Sequence, residues 1–166
     1  MVAQKTSQKQ MAIAYALTLL WRVVIFLFSN QPAAISDQQS GFFVDIFESV
    51  ATNVDSSLLT FLTRKAAHFF SYFVLGILTY NAILLHGFRL QKTVLICVAI
   101  VLSYASFDET HQLFVAGRSG EVRDVLIDTT AGMVGIGAYA LIQQVWTRKK
   151  SQNMLKYSNE KSKKAL

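Results

Sequence analysis

Apolar residues are concentrated in four long stretches that are separated by polar links. The only formal charges within the stretches are Arg22 in the first and Asp128 in the fourth. An α-helix needs about 20 predominantly apolar residues to span the hydrocarbon core of a bilayer, and the third stretch reaches that length if its helix continues through Gln112. The pattern therefore predicts an all-α membrane protein with four transmembrane helices. The stretches cover residues 11–29, 66–85, 93–107 and 125–146.

Two alternatives to this interpretation can be weighed from the same pattern. A soluble four-helix bundle would show a polar stripe on the outer face of each helix, and these stretches show none. A secretory signal peptide has an apolar core of about 7–15 residues, whereas the first stretch is longer and contains Arg22. We therefore interpret the first stretch as a retained membrane helix.

The longest polar link joins the first two helices and contains an aromatic segment. Residues 40–51 read SGFFVDIFESVA. Helical spacing places the apolar side chains on one face, which predicts a short helix lying flat at the outer membrane interface. The alternative is that these side chains close one end of the bundle as ordinary core. The apolar face consists of Phe42, Phe43, Ile46, Phe47 and Val50.

The basic residues indicate the orientation of the chain in the membrane. The formal net charge is +6, and most Lys and Arg residues lie before the first helix, between the second and third, or after the fourth. Because cytoplasmic loops are enriched in Lys and Arg, both termini are predicted to be cytoplasmic, as in a multi-pass protein of the inner or plasma membrane. Orientation and contact with anionic lipid explain this charge without a nucleic-acid partner.

The sequence predicts a division of the chain into two regions. Residues 1–147 form the four-helix transmembrane domain, and residues 148–166 form a basic cytoplasmic tail. The tail is rich in lysine and is expected to be solvated and poorly ordered.

Ionisable and polar residues from three helices fall at one predicted depth. Counting about 20 residues from the inner end of each span brings them near the outer boundary. A charge inside a bilayer costs about 2.5–3.5 kcal/mol and tends to face the bundle interior, so we expect one shared pocket that opens to the outer leaflet. In the loop between the last two helices, Gly117 and Gly120 allow the chain to turn back. The group comprises Arg64, Lys65, His68, Tyr72, Asp108, Glu109, His111, Gln112, Arg118, Glu121, Arg123, Asp124 and Asp128.

Arg22 lies near the middle of the first helix, with no acidic residue at its own depth. Its long side chain can reach toward the outer side, where Asp108 or Glu109 is the predicted partner. The alternative is a hydrogen bond to Tyr104 or Ser103.

The fourth helix carries small residues that predict close helix packing. Ala131 and Gly135 are four residues apart, a spacing that lets the backbones of two helices approach. We expect these positions to serve packing and not a ligand site.

The first hypothesis for the pocket is that it binds an anionic, phosphate-bearing lipid. Arginine can donate two parallel hydrogen bonds to a phosphate, and the acidic residues would hold the basic ones in place. The predicted binding residues are Arg64, Lys65, Tyr72, Gln112, Arg118 and Arg123, with His68 as a further donor.

The second hypothesis is a membrane-embedded hydrolase that acts on a lipid phosphate or a phospholipid headgroup. A divalent metal such as Mg²⁺ or Zn²⁺ beside the basic residues could activate a water molecule. Without a metal, His111 would act as the base and Asp108 would orient it. No spacing matches a zinc motif such as HExxH. The candidate catalytic residues are His68, Asp108, Glu109 and His111, and the predicted metal ligands are Asp108, Glu109, Asp124 and Asp128.

The third hypothesis is purely structural. The charges would then form an ion-pair network whose role is to fix one arrangement of the helices.

Two segments together resemble the VanZ-like family of small bacterial membrane proteins. They read RKAAHFFSYFVLG (64–76) and SFDETHQLFVAGRSGEVRDVLIDTTAG (106–132). The family pattern is Arg-Lys-x-x-His-x-x-x-Tyr, then Asp-Glu-x-x-Gln-x-Phe, then Gly-Arg, then Asp-Val-x-x-Asn-x-x-Gly, and FSNQP at 28–32 also fits. The joint occurrence in this order is specific, whereas any single piece is not. The matched positions are Arg64, Lys65, His68, Tyr72, Asp108, Glu109, Gln112, Phe114, Gly117, Arg118, Asp124, Val125 and Gly132.

Two positions depart from that pattern. Ala116 stands where the family has Pro, and Asp128 replaces the usual Asn, which adds a carboxylate to the pocket. The resemblance implies an integral membrane protein of the bacterial cell envelope whose partner is a phospholipid, a polyprenyl phosphate or a lipid-linked wall precursor. Because the founding member of the family is associated with resistance to the glycopeptide teicoplanin, a link to antibiotic resistance is a further expectation.

Overall fold

The computed structural model describes residues 7–48 and 55–164, and all regular secondary structure within them is helical. Of the five helices, the first, third, fourth and fifth are long and apolar enough to cross a membrane, and the candidate span of the fifth ends at Tyr157. The four predicted membrane helices and the all-α class are thereby confirmed. The helices are α1 (Gln8–Ser29), α2 (Ala33–Glu48), α3 (Ser56–Leu84), α4 (Leu90–Gln112) and α5 (Val122–Lys164).

Helix α3 begins well before the predicted start of its apolar stretch at residue 66. The carboxylate of Asp55 accepts a hydrogen bond from the backbone N–H of Ser57 across 2.9 Å, which satisfies one of the free donors at the helix start. The earlier start places Arg64 and Lys65 inside a continuous helix. Helix α4 continues through Gln112, as predicted.

Helix α2 confirms that the link after α1 contains a helix, but the helix begins at Ala33 and not near residue 40. The N–H of Ala33 donates to the carbonyl of Ala116 across 3.2 Å, so α2 starts against the loop between α4 and α5. The side chains of residues 42–50 lie outside the described part of the structure. The location of α2 at the membrane interface stays a prediction.

Helix α5 continues through the basic tail. The expectation that residues 148–166 are poorly ordered is wrong for residues 148–164, whose backbone is helical. No Gly or Pro follows Gly137, and the lysines, Leu155 and Met154 of the tail are good helix formers. Charge and solvent exposure alone therefore do not end the helix.

The core is organised around α3, which contacts the other four helices and packs most extensively against α5. A Cβ atom at Gly76 would overlap the backbone carbonyl of Gly132, and one at Gly135 would overlap the carbonyl of Phe73. The two helices therefore approach to a distance that only glycine permits at these positions. This confirms the predicted packing role of the small residues in the last helix, including the fully buried Ala131.

The outer surface of the bundle carries many large apolar side chains. Leu20, Leu95 and Ile142 are each at least 60% exposed, as expected for side chains that face lipid tails. A soluble bundle would place polar residues at such positions. The side of the membrane on which the termini lie stays a prediction.

Arg22 does not pair with Asp108 or Glu109, so the predicted partner is wrong. The hydroxyl of Tyr104 donates to the backbone carbonyl of Arg22 across 2.6 Å, and the guanidinium carbon lies 5.5 Å from the centroid of the Tyr104 ring. The Nε atom of Arg22 is buried and has no partner among residues 7–48 and 55–164. Tyr104 precedes Asp108 by one turn on the same face of α4. Arg22 therefore lies about one helical turn from the two carboxylates and does not reach them.

Candidate functional site

Four polar side chains descend one face of α3, and each meets an acidic residue from another helix. Arg64 Nη1 lies 3.0 Å from Asp37 of α2. Further along α3, Lys65 pairs with Asp124 of α5 at 2.5 Å, and His68 Nδ1 lies 3.6 Å from Asp128 Oδ2. Deepest in the bundle, Tyr72 donates to Asp108 of α4 across 3.1 Å. We call this set of four contacts the α3 ladder.

The end of α4 supplies buried polar side chains at the deep end of the α3 ladder. Asp108, Glu109 and Gln112 are each at most 4% exposed. Glu109 Oε2 accepts a hydrogen bond from the backbone N–H of Glu121 across 3.0 Å. The carboxylate is therefore fixed by the loop that follows its own helix.

Two glycines shape that loop, as predicted. Gly117 has a φ of 74°, a left-handed conformation that disfavours residues with a Cβ atom. At Gly120, an added Cβ would overlap the carbonyl of Glu109. The loop can therefore return over the end of α4 and bring Arg118 to the site.

Three consecutive residues at the end of α1 and just after it close the other side. In the sequence they appear only as part of the FSNQP segment of the family resemblance, with no predicted role in the site. Ser29 Oγ accepts from Gln112 Nε2 across 3.1 Å, and Asn30 Oδ1 lies 3.0 Å from His111 Nε2. Arg118 Nε donates to the carbonyl of Gln31 across 3.1 Å. The polar run that directly follows a long apolar helix was the signal that could have indicated them. Asp37 was also missed, because its region was interpreted only through its phenylalanines.

The basic side chains of the site surround one polar cavity of about 180 Å³. Arg64 and Lys65 approach it from α3, Arg118 from the loop and Arg123 from the start of α5. Glu121 and Asp124 supply its acidic lining. We call this space the polar cavity. Its lining residues are Phe61, Arg64, Lys65, His68, Gln112, Gly117, Arg118, Ser119, Glu121, Arg123 and Asp124.

Arg118 is the basic residue of the polar cavity that is least compensated. Burial lowers the pKa of its guanidinium, the nearby Arg64 lowers it further, and Asp108 and Asp37 act in the opposite direction. A guanidinium nevertheless stays charged at neutral pH. Its one side-chain hydrogen bond to the described residues comes from Nε, so the two terminal nitrogens remain available to a ligand.

A layer of buried carboxylates lies beneath the polar cavity. Asp108, Glu109 and Asp128 each have one buried oxygen with no hydrogen-bond partner among the described residues. The 3.6 Å separation of His68 and Asp128 is too long for a hydrogen bond. His68, Glu109 and Asp128 each offer one possible ligand atom, and these three atoms lie within 4.8 Å of one another. A buried, unpartnered carboxylate oxygen is costly, and a cation or a proton would relieve that cost.

The structure brings most of the predicted site residues together. Arg64, Lys65, His68, Gln112, Arg118, Arg123 and Asp124 line the polar cavity. Tyr72, Asp108, Glu109 and Asp128 form the deeper part through the contacts described above. Arg123 sits at the rim, where its side chain is 63% exposed and pairs with Glu121 at 3.0 Å.

The predicted pairing of His111 with Asp108 is not formed. The ring of His111 packs against Phe26 and Phe107, and its Nε2 meets Asn30. His111 follows Asp108 by three residues, which offsets the two side chains by about 60° around the helix. The ring of His111 therefore faces α1 and not the polar cavity.

The predicted metal ligands are only partly assembled. Glu109 and Asp128 belong to the cluster of possible ligands, and His68 completes it. Asp108 hydrogen-bonds to Tyr72 and Asp124 pairs with Lys65, so these two carboxylates have other partners.

Comparison with protein families gives a match that agrees with the motifs. The model of the VanZ/LLP1 family matches residues 12–143. No curated protein and no solved structure matches the chain. The matched residues run from the first turns of α1 into α5 and include every residue of the α3 ladder. The chain is therefore a multi-pass membrane protein that belongs to the VanZ/LLP1 family.

Proposed function

We propose that the polar cavity binds the phosphate group of an anionic membrane lipid. The observation that carries this proposal is the convergence of basic residues from separate elements on one cavity, Arg64 and Lys65 from α3, Arg118 from the loop and Arg123 from α5. A phosphate placed between Arg64 and Arg118 would relieve the repulsion of two cations that face the same space. Arginine also offers the paired donors that match two phosphate oxygens.

The acidic partners support binding of an anion and do not exclude it. Asp37 and Asp124 hold Arg64 and Lys65 by ion pairs, so these side chains are positioned before a ligand arrives. Fixing a long side chain in advance lowers the entropy lost on binding. The terminal nitrogens of Arg118 provide the remaining donors.

The site lies at the ends of membrane-spanning helices, which favours a lipid over a soluble phosphate ester. Phospholipids, polyprenyl phosphates and lipid-linked wall precursors share a phosphate joined to hydrocarbon, and any of these would fit a role in the bacterial cell envelope. A contribution to glycopeptide resistance follows from this role as a further proposal. Teicoplanin susceptibility of cells with and without the protein measures it, and an unchanged susceptibility contradicts it.

The experiment for the binding proposal is native mass spectrometry of protein extracted in mild detergent. We expect the wild-type protein to retain anionic lipid and Arg118→Gln and Arg64→Gln to lose it. A charged hydrogen bond contributes about 1.5–3 kcal/mol, so each substitution should weaken retention about 10- to 100-fold. Arg89→Gln is the matched control, since Arg89 precedes α4 at the opposite end of the bundle. Equal retention by all four proteins contradicts the proposal.

A second candidate function, metal-dependent hydrolysis of a lipid phosphate ester, is favoured by the cluster of His68, Glu109 and Asp128. Its ligand atoms lie within 4.8 Å of one another, whereas two ligands of a Zn²⁺ or Mg²⁺ ion are at most about 4.2 Å apart. If the three ligand atoms moved together by a few tenths of an ångström, they would therefore be close enough to hold a cation. The mixture of one imidazole and two carboxylates suits Zn²⁺ or Mn²⁺.

A cation bound there would supply a water molecule with a lowered pKa. The chain's own residues would do the rest, with Arg64 and Arg118 holding the phosphate next to the cluster. Phosphate release from lipid substrates, measured with and without Zn²⁺ or Mn²⁺, tests this candidate. Glu109→Gln should abolish release, and an inactive wild-type protein across phospholipid and polyprenyl phosphate substrates contradicts hydrolysis but leaves binding intact.

A further inference from the structure

A second, larger cavity adjoins the polar cavity between α1, α2 and α3. Its volume is about 350 Å³, within the range of about 300–1,000 Å³ that is typical of small-molecule sites. Arg64, His68 and Arg118 line both cavities. The two spaces therefore meet at these three side chains.

The lining of the larger cavity changes from polar to apolar with distance from that junction. Gln31 lies beside the junction, where its carbonyl accepts a hydrogen bond from Arg118, whereas Phe28 and Trp21 line the part that follows α1 inward. Phe28 and Trp21 are seven positions apart in α1, which is about 10 Å at about 1.5 Å per residue. The indole of Trp21 donates to the carbonyl of Ser71 across 2.9 Å and is thereby fixed at the far end. We call this space the α1–α3 groove.

The α1–α3 groove is accessible from the side of the bundle. Phe28 and Phe70 line it and are 58% and 60% exposed, so they face the region that lipid tails occupy. A hydrocarbon chain could thus enter laterally without crossing a polar surface.

We propose that the α1–α3 groove holds a hydrocarbon chain of the same lipid whose phosphate occupies the polar cavity. The inference rests on the proposed lipid-phosphate site and adds where the chain lies. Phosphate and chain are joined in an anionic lipid, just as the polar cavity and the groove are joined at Arg64, His68 and Arg118. The site then selects a lipid by both parts and not by charge alone.

A hydrocarbon chain fits the groove better than a helix of a second copy of the protein. A helix with its side chains is about 10–12 Å across, so a 10 Å length of it fills more space than 350 Å³. A single extended chain is much thinner and can follow the groove from Phe28 to Trp21.

Fluorescence quenching of Trp21 tests the position of the chain. The sequence contains two tryptophans, so Trp146→Phe leaves Trp21 as the only one. The protein is placed in phosphatidylcholine nanodiscs that contain a small share of phosphatidic acid brominated on its acyl chain. We expect quenching that saturates at a low share of brominated phosphatidic acid, and only weak quenching by the same share of brominated phosphatidylcholine. Equal quenching by the two lipids overturns the proposal.

A matched pair of substitutions tests the groove independently of fluorescence. Ala67 lines the groove, and its neighbour Ala66 is exposed and lines neither cavity. We expect Ala67→Phe to lose retention of long-chain phosphatidic acid in native mass spectrometry while it still binds soluble glycerol phosphate. Ala66→Phe should behave as the wild type. Normal lipid retention by Ala67→Phe overturns the proposed position of the chain. A protein that is dimeric in the nanodisc and whose Trp21 is not quenched by brominated lipid overturns it as well.

The two proposals can fail separately. If Arg118→Gln loses the lipid but Ala67→Phe keeps it, the phosphate site stands and the chain lies elsewhere. If the wild-type protein retains no anionic lipid, the phosphate site itself is contradicted.

Discussion

Tyr72 and Asp108 form a hydrogen bond across 3.1 Å between two fully buried side chains, and it joins α3 to α4 beneath the polar cavity. The phenol donates to Asp108 Oδ2, whereas Oδ1 has no partner among the described residues. Tyr72 is thus the one donor that the described residues provide to this carboxylate. This hydrogen bond fixes the position of α4 along α3 and thereby the depth of the buried acids of α4.

Replacing Tyr72 by Phe should destabilise the protein by about 1–3 kcal/mol, the cost of leaving a buried acceptor without its donor. Thermal unfolding in detergent measures the change. Tyr80→Phe is the control, because Tyr80 is also buried in α3 but contacts Tyr139 through its ring. A loss of stability as large in Tyr80→Phe as in Tyr72→Phe would show that the Tyr72 hydroxyl contributes nothing specific.

Zn²⁺ or Mn²⁺ should raise the unfolding temperature of the wild-type protein if the cluster of His68, Glu109 and Asp128 binds a cation. Binding to the folded state alone contributes about 2.7 kcal/mol at a concentration about 100 times Kd. Asp128→Asn should remove the metal-induced shift, and Asp124→Asn should keep it, since Asp124 pairs with Lys65 outside the cluster. Each variant is compared with its own metal-free protein. A shift that persists in Asp128→Asn would place the cation elsewhere.

The start of α3 should become less stable in acid. The hydrogen bonds from Ser57 lower the pKa of Asp55 below its ordinary value of 3.8. A carboxyl group whose pKa is lowered on folding stabilises the folded state above its unfolded pKa, and this contribution is lost as the pH falls through the folded pKa. We therefore expect amide hydrogen exchange at the first turn of α3 to accelerate below pH 3.8, relative to the rate of unstructured chain.

Asp55→Asn separates capping from titration in that experiment. Asn caps helices about as well as Asp but carries no titratable group, so its protection should be independent of pH in this range. In Asp55→Ala, the amides of the first turn of α3 should exchange quickly at every pH. Identical pH profiles of exchange for the wild-type protein and Asp55→Asn would show that titration of Asp55 does not cause the loss of protection.

The close approach of α3 and α5 should make Gly76 intolerant of a methyl group. The Cβ atom of Gly76→Ala meets the backbone of Gly132, which cannot yield as a side chain can, so we expect a loss of about 1–3 kcal/mol from overpacking. Gly137→Ala is the control in α5, because apart from the helix's own backbone no atom of residues 7–48 and 55–164 lies within 4 Å of the added Cβ. Its helix propensity should leave stability unchanged or raise it by up to about 1 kcal/mol. Thermal unfolding of both variants measures the change in stability. A Gly76→Ala protein as stable as Gly137→Ala would contradict the close packing.

Features that depend on residues near one another in the chain could be predicted from the sequence. The four membrane helices follow from apolar stretches of sufficient length. The alignment of Arg64, His68 and Tyr72 on one face follows from the helical repeat. The turn at Gly117 follows from the conformational freedom of glycine, and its positive φ agrees with that expectation.

Pairing between helices could not be predicted in the same way. The sequence predicts that the long side chain of Arg22 reaches outward to Asp108 or Glu109, yet it lies against Tyr104, one turn earlier in α4. His111 was expected beside Asp108 but packs against Phe26 of α1. The first error concerns how far the side chain reaches along the bundle, and the second concerns the direction of the side chain around its helix.

The sequence by itself determined that this is a four-span membrane protein of the VanZ/LLP1 family, and it predicted one depth for the ionisable residues of the candidate site. The tertiary structure alone decided that His68 joins Glu109 and Asp128, that Asp37 holds Arg64, and that an apolar groove opens beside Arg118. The physical reason is that hydrophobic length and periodicity fix which residues share a helix face and a depth. Contacts between helices depend instead on how each helix is rotated and shifted against its neighbours, and that is set by packing at positions such as Gly76 and Gly135.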